Sequence, residues 1–298
     1  MKPKLGFVGL GNMGQPICRR LLESGFEVSI YDVDPGAVAR LDDTRAEPSG
    51  DLETLAAVSD AVLLSLPNSN VVEQVVLGSG GVMEGLSAGS VLIDTSSSRP
   101  SSTRAIAGRL AEAGVEMLDA PVSGGVLRAE EGKLAVMVGG RREVFEECYG
   151  IFRAFGAEIF HVGDNGAGHL AKSLNNLLSA TTLASAAEAI ILAEGAGIAP
   201  ETLLDVLNAG NGRSYSTEVK FPRYILDRSF DDGFALGLMV KDLKIALETA
   251  AEMGYPMFSG STITQLWQAA AAQGYGPEGH TSIYAFLENL STDNGSGE

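Results

Sequence analysis

The chain is poor in the residues that build redox frameworks and metal centres. Cys18 and Cys148 are its only cysteines, and His161, His169 and His280 are its only histidines. Two cysteines support neither a disulfide framework nor a structural zinc site, so both are expected to pack as small hydrophobes. No two histidines have metal-ligand spacing, and no metal is expected. Neither an H-E-x-x-H nor a G-x-S-x-G pattern occurs, which removes the signatures of zinc peptidases and serine hydrolases. Basic residues are scarce as well, with 21 Lys and Arg against 38 Asp and Glu and a net charge of −17. Such a balance argues against nucleic acid or an anionic membrane surface as a partner. Any anionic ligand must then be held by helix N-termini and a few placed cations. No run of about 18 apolar residues stands out, so no membrane span is expected. The first residues lead into an apolar run without a signal-peptide pattern, and a cytoplasmic location is the expectation. The polar tail Ser291 to Glu298 is expected to fray.

What is present is the composition of a globular protein, 45% hydrophobic and 20% charged over 298 residues, enough for one large or two medium domains. Strand-like runs recur at Leu5 to Val8, Glu27 to Tyr31, Ala61 to Leu66, Val91 to Asp94, Val115 to Leu118, Leu134 to Val138 and Glu158 to Val162. Between the first two, Met13, Ile17, Leu21 and Leu22 fall at helical spacing. This alternation predicts an α/β fold with a doubly wound parallel sheet. After about residue 163 the strand runs stop and Ala- and Leu-rich helical segments take over. A sheet domain over 1–163 and an all-helical domain over 164–298 are therefore expected. A long helix from Gly168 to about Glu194, roughly 40 Å at 1.5 Å per residue, opens the second. Leu170, Leu174, Leu177 and Leu178 stripe one side of it, and Leu183, Ala187 and Ile190 share the other with Lys172 and Asn176. Apolar residues on both sides predict a helix enclosed by neighbours, as at a junction between domains or subunits.

Gly9-Leu10-Gly11-Asn12-Met13-Gly14 is a G-x-G-x-x-G pattern placed directly after the first strand and opening a helix. Gly9 permits the tight turn, Gly11 lets the backbone approach a pyrophosphate, and Gly14 allows close helix–strand packing. Asp32, at the end of the second strand, is placed to accept hydrogen bonds from ribose hydroxyls. A carboxylate there repels a 2′-phosphate, and no arginine follows in Val33-Asp34-Pro35, so NAD is expected rather than NADP. Leu66-Pro67-Asn68 and Asp94-Thr95-Ser96 follow further strands, where loops at carboxyl ends meet a ligand or are ordinary turns.

Three other stretches carry chemistry. Ser123, Gly124 and Gly125 follow a strand and offer a hydroxyl and open amides for a small carboxylate, or form a simple glycine turn. Lys172 and Asn176 lie one helical turn apart on the long helix, where a buried lysine is costly unless paired or deprotonated, although a snorkelling lysine is the common alternative. Lys241-Asp242 reads by spacing as a solvated pair.

In this order, the glycine loop, the Asp119 to Gly125 turn, the Gly166 to Asn176 helix start and Lys241-Asp242 closely resemble the β-hydroxyacid dehydrogenase family, in particular its 3-hydroxyisobutyrate dehydrogenase-like members. The resemblance covers nearly the whole chain. It implies an N-terminal Rossmann domain joined by a long helix to an all-α domain, in homodimers or homotetramers. It implies Lys172 as the catalytic general acid/base, with Asn176 orienting the substrate. It further implies that Ser123, Gly124 and Gly125 hold the substrate carboxylate. Lys241 then lines the site near the cofactor with Asp242 beside it, which reverses the reading from spacing. Leu10, Asn12, Met13, Leu66, Pro67 and Thr95 join the glycines and Asp32 against the dinucleotide. As a base near neutrality, Lys172 must fall from a solution value of about 10.4, which desolvation and nearby positive charge would achieve.

The implied reaction is NAD-dependent oxidation of a small 3-hydroxy acid to its semialdehyde. Reduction of a semialdehyde such as tartronate semialdehyde, or a non-catalytic dinucleotide-binding module, are the alternatives. The stretch Asn211 to Ser216 resembles the family's substrate loop, with Tyr215 where an aromatic residue such as tryptophan is expected. Arg128 is either an extra anion contact or a solvated loop arginine. These departures leave open a substrate bearing a sulfonate, a second carboxylate or an amino group.

Overall fold

A computed structural model describes residues 2–292; residues 293–298, most of the polar tail, lie outside the described residues. Contacts divide the chain into two compact units, Met1–Lys172 and Ser173–Glu298. The division falls inside the long helix, later than the change of texture near residue 163. The physical reason is that the first turns of that helix are hydrogen-bonded to the sheet unit, as described below.

The first unit is built on nine strands: β1 (Leu5–Val8), β2 (Val28–Tyr31), β3 (Glu47–Pro48), β4 (Ala61–Leu64), β5 (Val91–Asp94), β6 (Glu116–Asp119), β7 (Val122–Ser123), β8 (Leu134–Gly139) and β9 (Gly156–Gly163). Their order is β3-β2-β1-β4-β5-β6-β8-β7, with β9 paired to β8. The pairs from β3 to β6 are parallel, with Leu5 opposite Val28 on one side and Ala61 on the other. Beyond β6 the sheet turns mixed, because β8 runs antiparallel to β6 and β7 while β9 runs parallel to β8.

Both faces of the parallel portion are covered. Leu5, Phe7 and Leu63 pack into one core with the helix Gly14–Glu23, and Val8, Val62, Leu64 and Leu92 pack into the other. Burial on both faces is why these strands read as continuous apolar runs rather than as alternation. β3 and β7 have two residues each and leave no periodic trace in the sequence; Pro48 is tolerated because β3 is an edge strand. Cys18 and Cys148 are free and buried, and burial pushes their thiols up to about 12 and about 11, so both behave as apolar side chains.

The second unit is helical. It carries most of the long helix Ala167–Gly195, then Pro200–Ala209, a π-helical segment Ser216–Ile225, Leu236–Glu252, Phe258–Ala270 and Ile283–Thr292, with a 3₁₀ turn His280–Ser282 before the last. Its core gathers Leu183, Ile190, Phe221, Leu243 and Trp267.

The long helix departs from expectation in two ways. By length and composition it could cross a membrane, although no such segment stood out in the sequence. Leu177, Ala180, Leu183, Ala187 and Ile190 nevertheless pack into the core of the helical unit, so the helix is apolar because it is a core element. It is also not enclosed on every side, since Leu174, Leu178 and Leu192 are exposed at 37%, 67% and 77%.

Candidate active site

In the first unit the strand order reverses at β1, with β2 on one side and β4 on the other, and the carboxyl ends of these strands carry the residues expected from the sequence to meet a dinucleotide. Gly9 has φ +95°, which a residue with a side chain rarely adopts, and its amide donates to the Tyr31 carbonyl at 3.0 Å. A Cβ on Gly14 would stand 1.9 Å from the Gly9 carbonyl oxygen, so the protein's own packing demands glycine there. Gly11 is the opposite case: a Cβ there would meet nothing within 4 Å. Its glycine leaves an open cradle at the start of the helix Gly14–Glu23, which no side chain caps. An uncapped helix N-terminus beside a bare backbone suits a pyrophosphate, so the residues present fit a dinucleotide.

Asp32 follows β2 and is tied to the glycine loop itself. One carboxylate oxygen accepts from Leu10 N–H at 2.6 Å and the other from Asp34 N–H at 2.8 Å. Each oxygen keeps a further lone pair for a ribose hydroxyl. Asn12 and Met13 complete the turn, and Met13 packs partly against the core. Leu66 lies against Gly9, and its N–H donates to Ser96 Oγ at 2.9 Å. Pro67 is exposed next to it. Thr95 is buried and its hydroxyl donates to the Leu64 carbonyl at 2.6 Å, so its side chain fixes the β4 and β5 ends rather than projecting from them. Ser123 closes β7, Gly124 (φ +139°) and Gly125 (φ +73°) turn the chain, and Arg128 folds back along Gly124, within 3.0 Å of where a Cβ would stand.

The sequence reading missed the device that sets the start of the long helix. Asp119, at the end of β6 and fully buried, accepts from Gly166 N–H at 2.8 Å and His169 N–H at 2.9 Å. It thereby caps the helix that carries Lys172. His169 is buried as well, with Nε2 3.1 Å from the Ser96 carbonyl and Nδ1 2.7 Å from Thr103 Oγ1. A carbonyl only accepts, so Nε2 carries a proton. Asp94 lies 3.6 Å from the same ring and holds Ser96 N–H and the Ser98 hydroxyl. His169 thus braces the helix start to the β5 loop. Lys172 follows three residues later and is buried, at 8% exposure.

In the second unit Asn176, Lys241 and Asp242 come together. Asn176 Nδ2 donates to Asp242 Oδ2 at 2.6 Å, and its Oδ1 accepts from Asn175 Nδ2 at 3.2 Å. A carboxylate only accepts, so the amide nitrogen must face Asp242, and the orientation of Asn176 is fixed. Lys241 Nζ lies 3.5 Å from Asp242 Oδ1, and Asp242 is only 1% exposed. The solvated pair suggested by spacing is therefore corrected: Asp242 is a core carboxylate that positions Asn176. Tyr215, at the start of the π-helical segment, is 64% exposed and lies outside this group.

The two halves of the chain match two family models. Residues 4–163 match the NAD-binding domain of 6-phosphogluconate dehydrogenase, and residues 166–287 match the NAD-binding domain of NADP-dependent 3-hydroxyisobutyrate dehydrogenase. The chain is 40% identical over 288 residues to 2-(hydroxymethyl)glutarate dehydrogenase of Eubacterium barkeri, covering 97% of this chain and 96% of that one. It is 32% identical over 297 residues to human mitochondrial 3-hydroxyisobutyrate dehydrogenase, covering 98% and 88%. Among solved structures, the Mycobacterium tuberculosis 3-hydroxyisobutyrate dehydrogenase with L-serine superposes with a TM-score of 0.90 at 28% identity, over 96% of this chain and 99% of that one. With a glycine cradle fit for a dinucleotide in one unit and matches that run through both, this chain belongs to the β-hydroxyacid dehydrogenase family of NAD(P)-dependent oxidoreductases.

Proposed function

We propose that the chain oxidises the primary alcohol of a small 3-hydroxy acid to the semialdehyde, with NAD as acceptor and Lys172 as general base. The observation that carries this reading is a lysine buried on a helix whose first turn is capped by Asp119 and braced by His169. A positioned amine removes the hydroxyl proton in oxidation and, as the ammonium, returns it to the nascent alkoxide in reduction. When bound, the nicotinamide supplies the two-electron acceptor for the hydride that leaves the carbinol carbon. Ser123 and the Gly124 and Gly125 amides hold the substrate carboxylate. Asn176, its amide set by Asp242, hydrogen-bonds the substrate without adding charge. Asp32 favours NAD because its carboxylate opposes a 2′-phosphate.

The compounds named with the relatives support the substrate class. 2-(Hydroxymethyl)glutarate, 3-hydroxyisobutyrate and L-serine all carry a hydroxymethyl group on the carbon next to a carboxylate. The proposed substrate shares that unit, with the third substituent unassigned. A spectrophotometric screen of NADH formation over such acids, and of NADH consumption with the matching semialdehydes, tests the reading. Turnover with the acids is expected; a clear preference for NADP would overturn the role given to Asp32. Assembly as a homodimer or homotetramer is proposed alongside, supported by the exposed Leu174, Leu178 and Leu192 of the long helix and checked by light scattering.

A further inference from the structure

The helical unit holds a second buried charge network that the proposed chemistry does not use. Lys220, midway along the π-helical segment, is 6% exposed. Its Nζ donates to Ser179 Oγ on the long helix at 2.9 Å and lies 2.7 Å from His280 Nε2. His280 Nδ1 lies 2.8 Å from Asp232 Oδ1, and Asp232 also accepts from Phe234 N–H at 3.0 Å and Thr281 N–H at 2.9 Å.

The donor directions follow from chemistry. A carboxylate only accepts, so His280 Nδ1 carries the proton that reaches Asp232. The remaining proton between Nε2 and Nζ is a single one, shared across 2.7 Å. Lys220 from the π-helical segment and Asp232 from the loop before Leu236 are the charged groups that face the ring. Trp267 stacks over it at 6.2 Å and Phe234 meets it edge-on at 5.6 Å. Burial holds the imidazole below the usual histidine range, with Lys220 adding to this and the Asp232 hydrogen bond opposing it. Burial alone would raise Asp232, but its bonds to His280 and Thr281 outweigh that and hold it low.

What the network secures is a segment that needs securing. A π-helix of ten residues is rare, because its hydrogen bonds are strained relative to an α-helix, and such segments are common at functional sites. This one begins at the loop Asn211 to Ser216. Ser214 N–H donates to Thr217 Oγ1 at 2.9 Å and Thr217 N–H donates to Ser214 Oγ at 3.2 Å, while Ser216 Oγ lies 3.3 Å from Thr182 Oγ1 on the long helix. Lys220 and Ser216 are therefore the two side chains that tie the segment to Ser179 and Thr182.

We propose that Lys220 and His280 are positioning residues for the loop Asn211 to Ser216: one shared proton locks the π-helical segment onto the long helix, and a second proton releases it. The inference rests on the reading of that loop as a substrate loop. On acidification, His280 gains a proton only by setting two cations 2.7 Å apart, which opens the chain of bonds rather than charging it in place.

Amide hydrogen exchange of the full chain tests the lock without reference to any substrate. Corrected for intrinsic rates, peptides from 211–225 should exchange about tenfold faster near pH 5.5 than near pH 7.5, relative to the helix Leu236–Glu252. In His280→Gln, whose amide oxygen still accepts from Lys220 and takes no proton, that ratio should stay constant. An acid response absent from the wild type, or unchanged in His280→Gln, overturns the lock. In turnover, Lys220→Met should raise the KM for the hydroxy acid about tenfold with kcat within twofold and the KM for NAD unchanged, and Lys220→Arg, which keeps two donors, should restore it. An unchanged KM beside the expected exchange result overturns the positioning role and the substrate-loop reading, and leaves the family chemistry untouched.

Discussion

His169 and His280 are both buried, one in each unit, and their surroundings differ in sign. His169 lies among Asp94, Asp119, Thr103 and the Ser96 carbonyl, and through them it joins strand ends to a helix start. His280 lies between a lysine and one carboxylate, where its proton count decides whether two cations meet. The contrast extends to whole units. In the sheet unit Asp32, Asp94 and Asp119 accept from main-chain amides, and so they shape the backbone at the strand ends. In the helical unit Asp242 and Asp232 bind side chains that carry or orient charge, Asp232 alongside the Phe234 and Thr281 amides. Carboxylates that hold backbone fix its shape; a carboxylate that holds a titrating side chain as well makes that shape depend on protons.

The largest break in this comparison should come at Lys172, the proposed general base at the end of the sheet unit. Lys172→Ala is expected to lower kcat by about 10³-fold or more, within the range of general acid–base catalysis, with NAD affinity intact. Retention of more than a few per cent of turnover would sink the assignment.

Next come the two glycines that look alike in sequence. Gly14→Ala drives a methyl to 1.9 Å from the Gly9 carbonyl and should cost both melting temperature and NAD binding. Gly11→Ala meets no protein atom, so the melting temperature should hold while NAD affinity weakens about tenfold, about 1.4 kcal/mol. Parallel thermal melts and fluorescence titrations decide it; a fall in stability for Gly11→Ala would show that the cradle serves folding.

Acid should then separate the units. His280 and Asp232 are both held below their ordinary values, so the unfolded chain takes up protons first as pH falls. Their contribution to stability is whole above about 6.5, the ordinary histidine value, and declines below it, with Asp232 adding a further loss below about 3.9. Melting curves of wild type against His280→Gln should converge toward acid pH; parallel curves would refute the sign. The smallest effect belongs to Tyr215, whose exposed ring predicts a stability change under about 0.5 kcal/mol for Tyr215→Phe by thermal melts.

The glycine loop was legible because main-chain demands leave glycine at fixed offsets, and the structure gives each of the three a separate physical reason. The parallel strands were legible because burial on both faces writes unbroken apolar runs. Lys172 and Asn176 were legible as a helical pair, but Asp242 was misread from spacing, since nothing local reveals that the aspartate of a Lys-Asp pair is buried. Asp119, His169, Lys220, Asp232 and His280 gave no usable signal, because each finds its partner far along the chain and only the fold brings them together. The exposure of Leu174 and Leu178 was hidden for a related reason: an apolar stripe announces that a surface will be covered, not what covers it.

The two hydrogen bonds that Asp32 accepts, from the Leu10 and Asp34 amides, bear on any attempt to redesign the cofactor preference of this enzyme. Exchanging the carboxylate for a residue that welcomes a phosphate would also unfasten the glycine loop proposed to receive the dinucleotide. If Asp32 discriminates as proposed, discrimination and loop shape are coupled in one side chain, and a variant library that changes position 32 alone should lose NAD faster than it gains NADP. Positions 10 and 34 would have to be sampled with it.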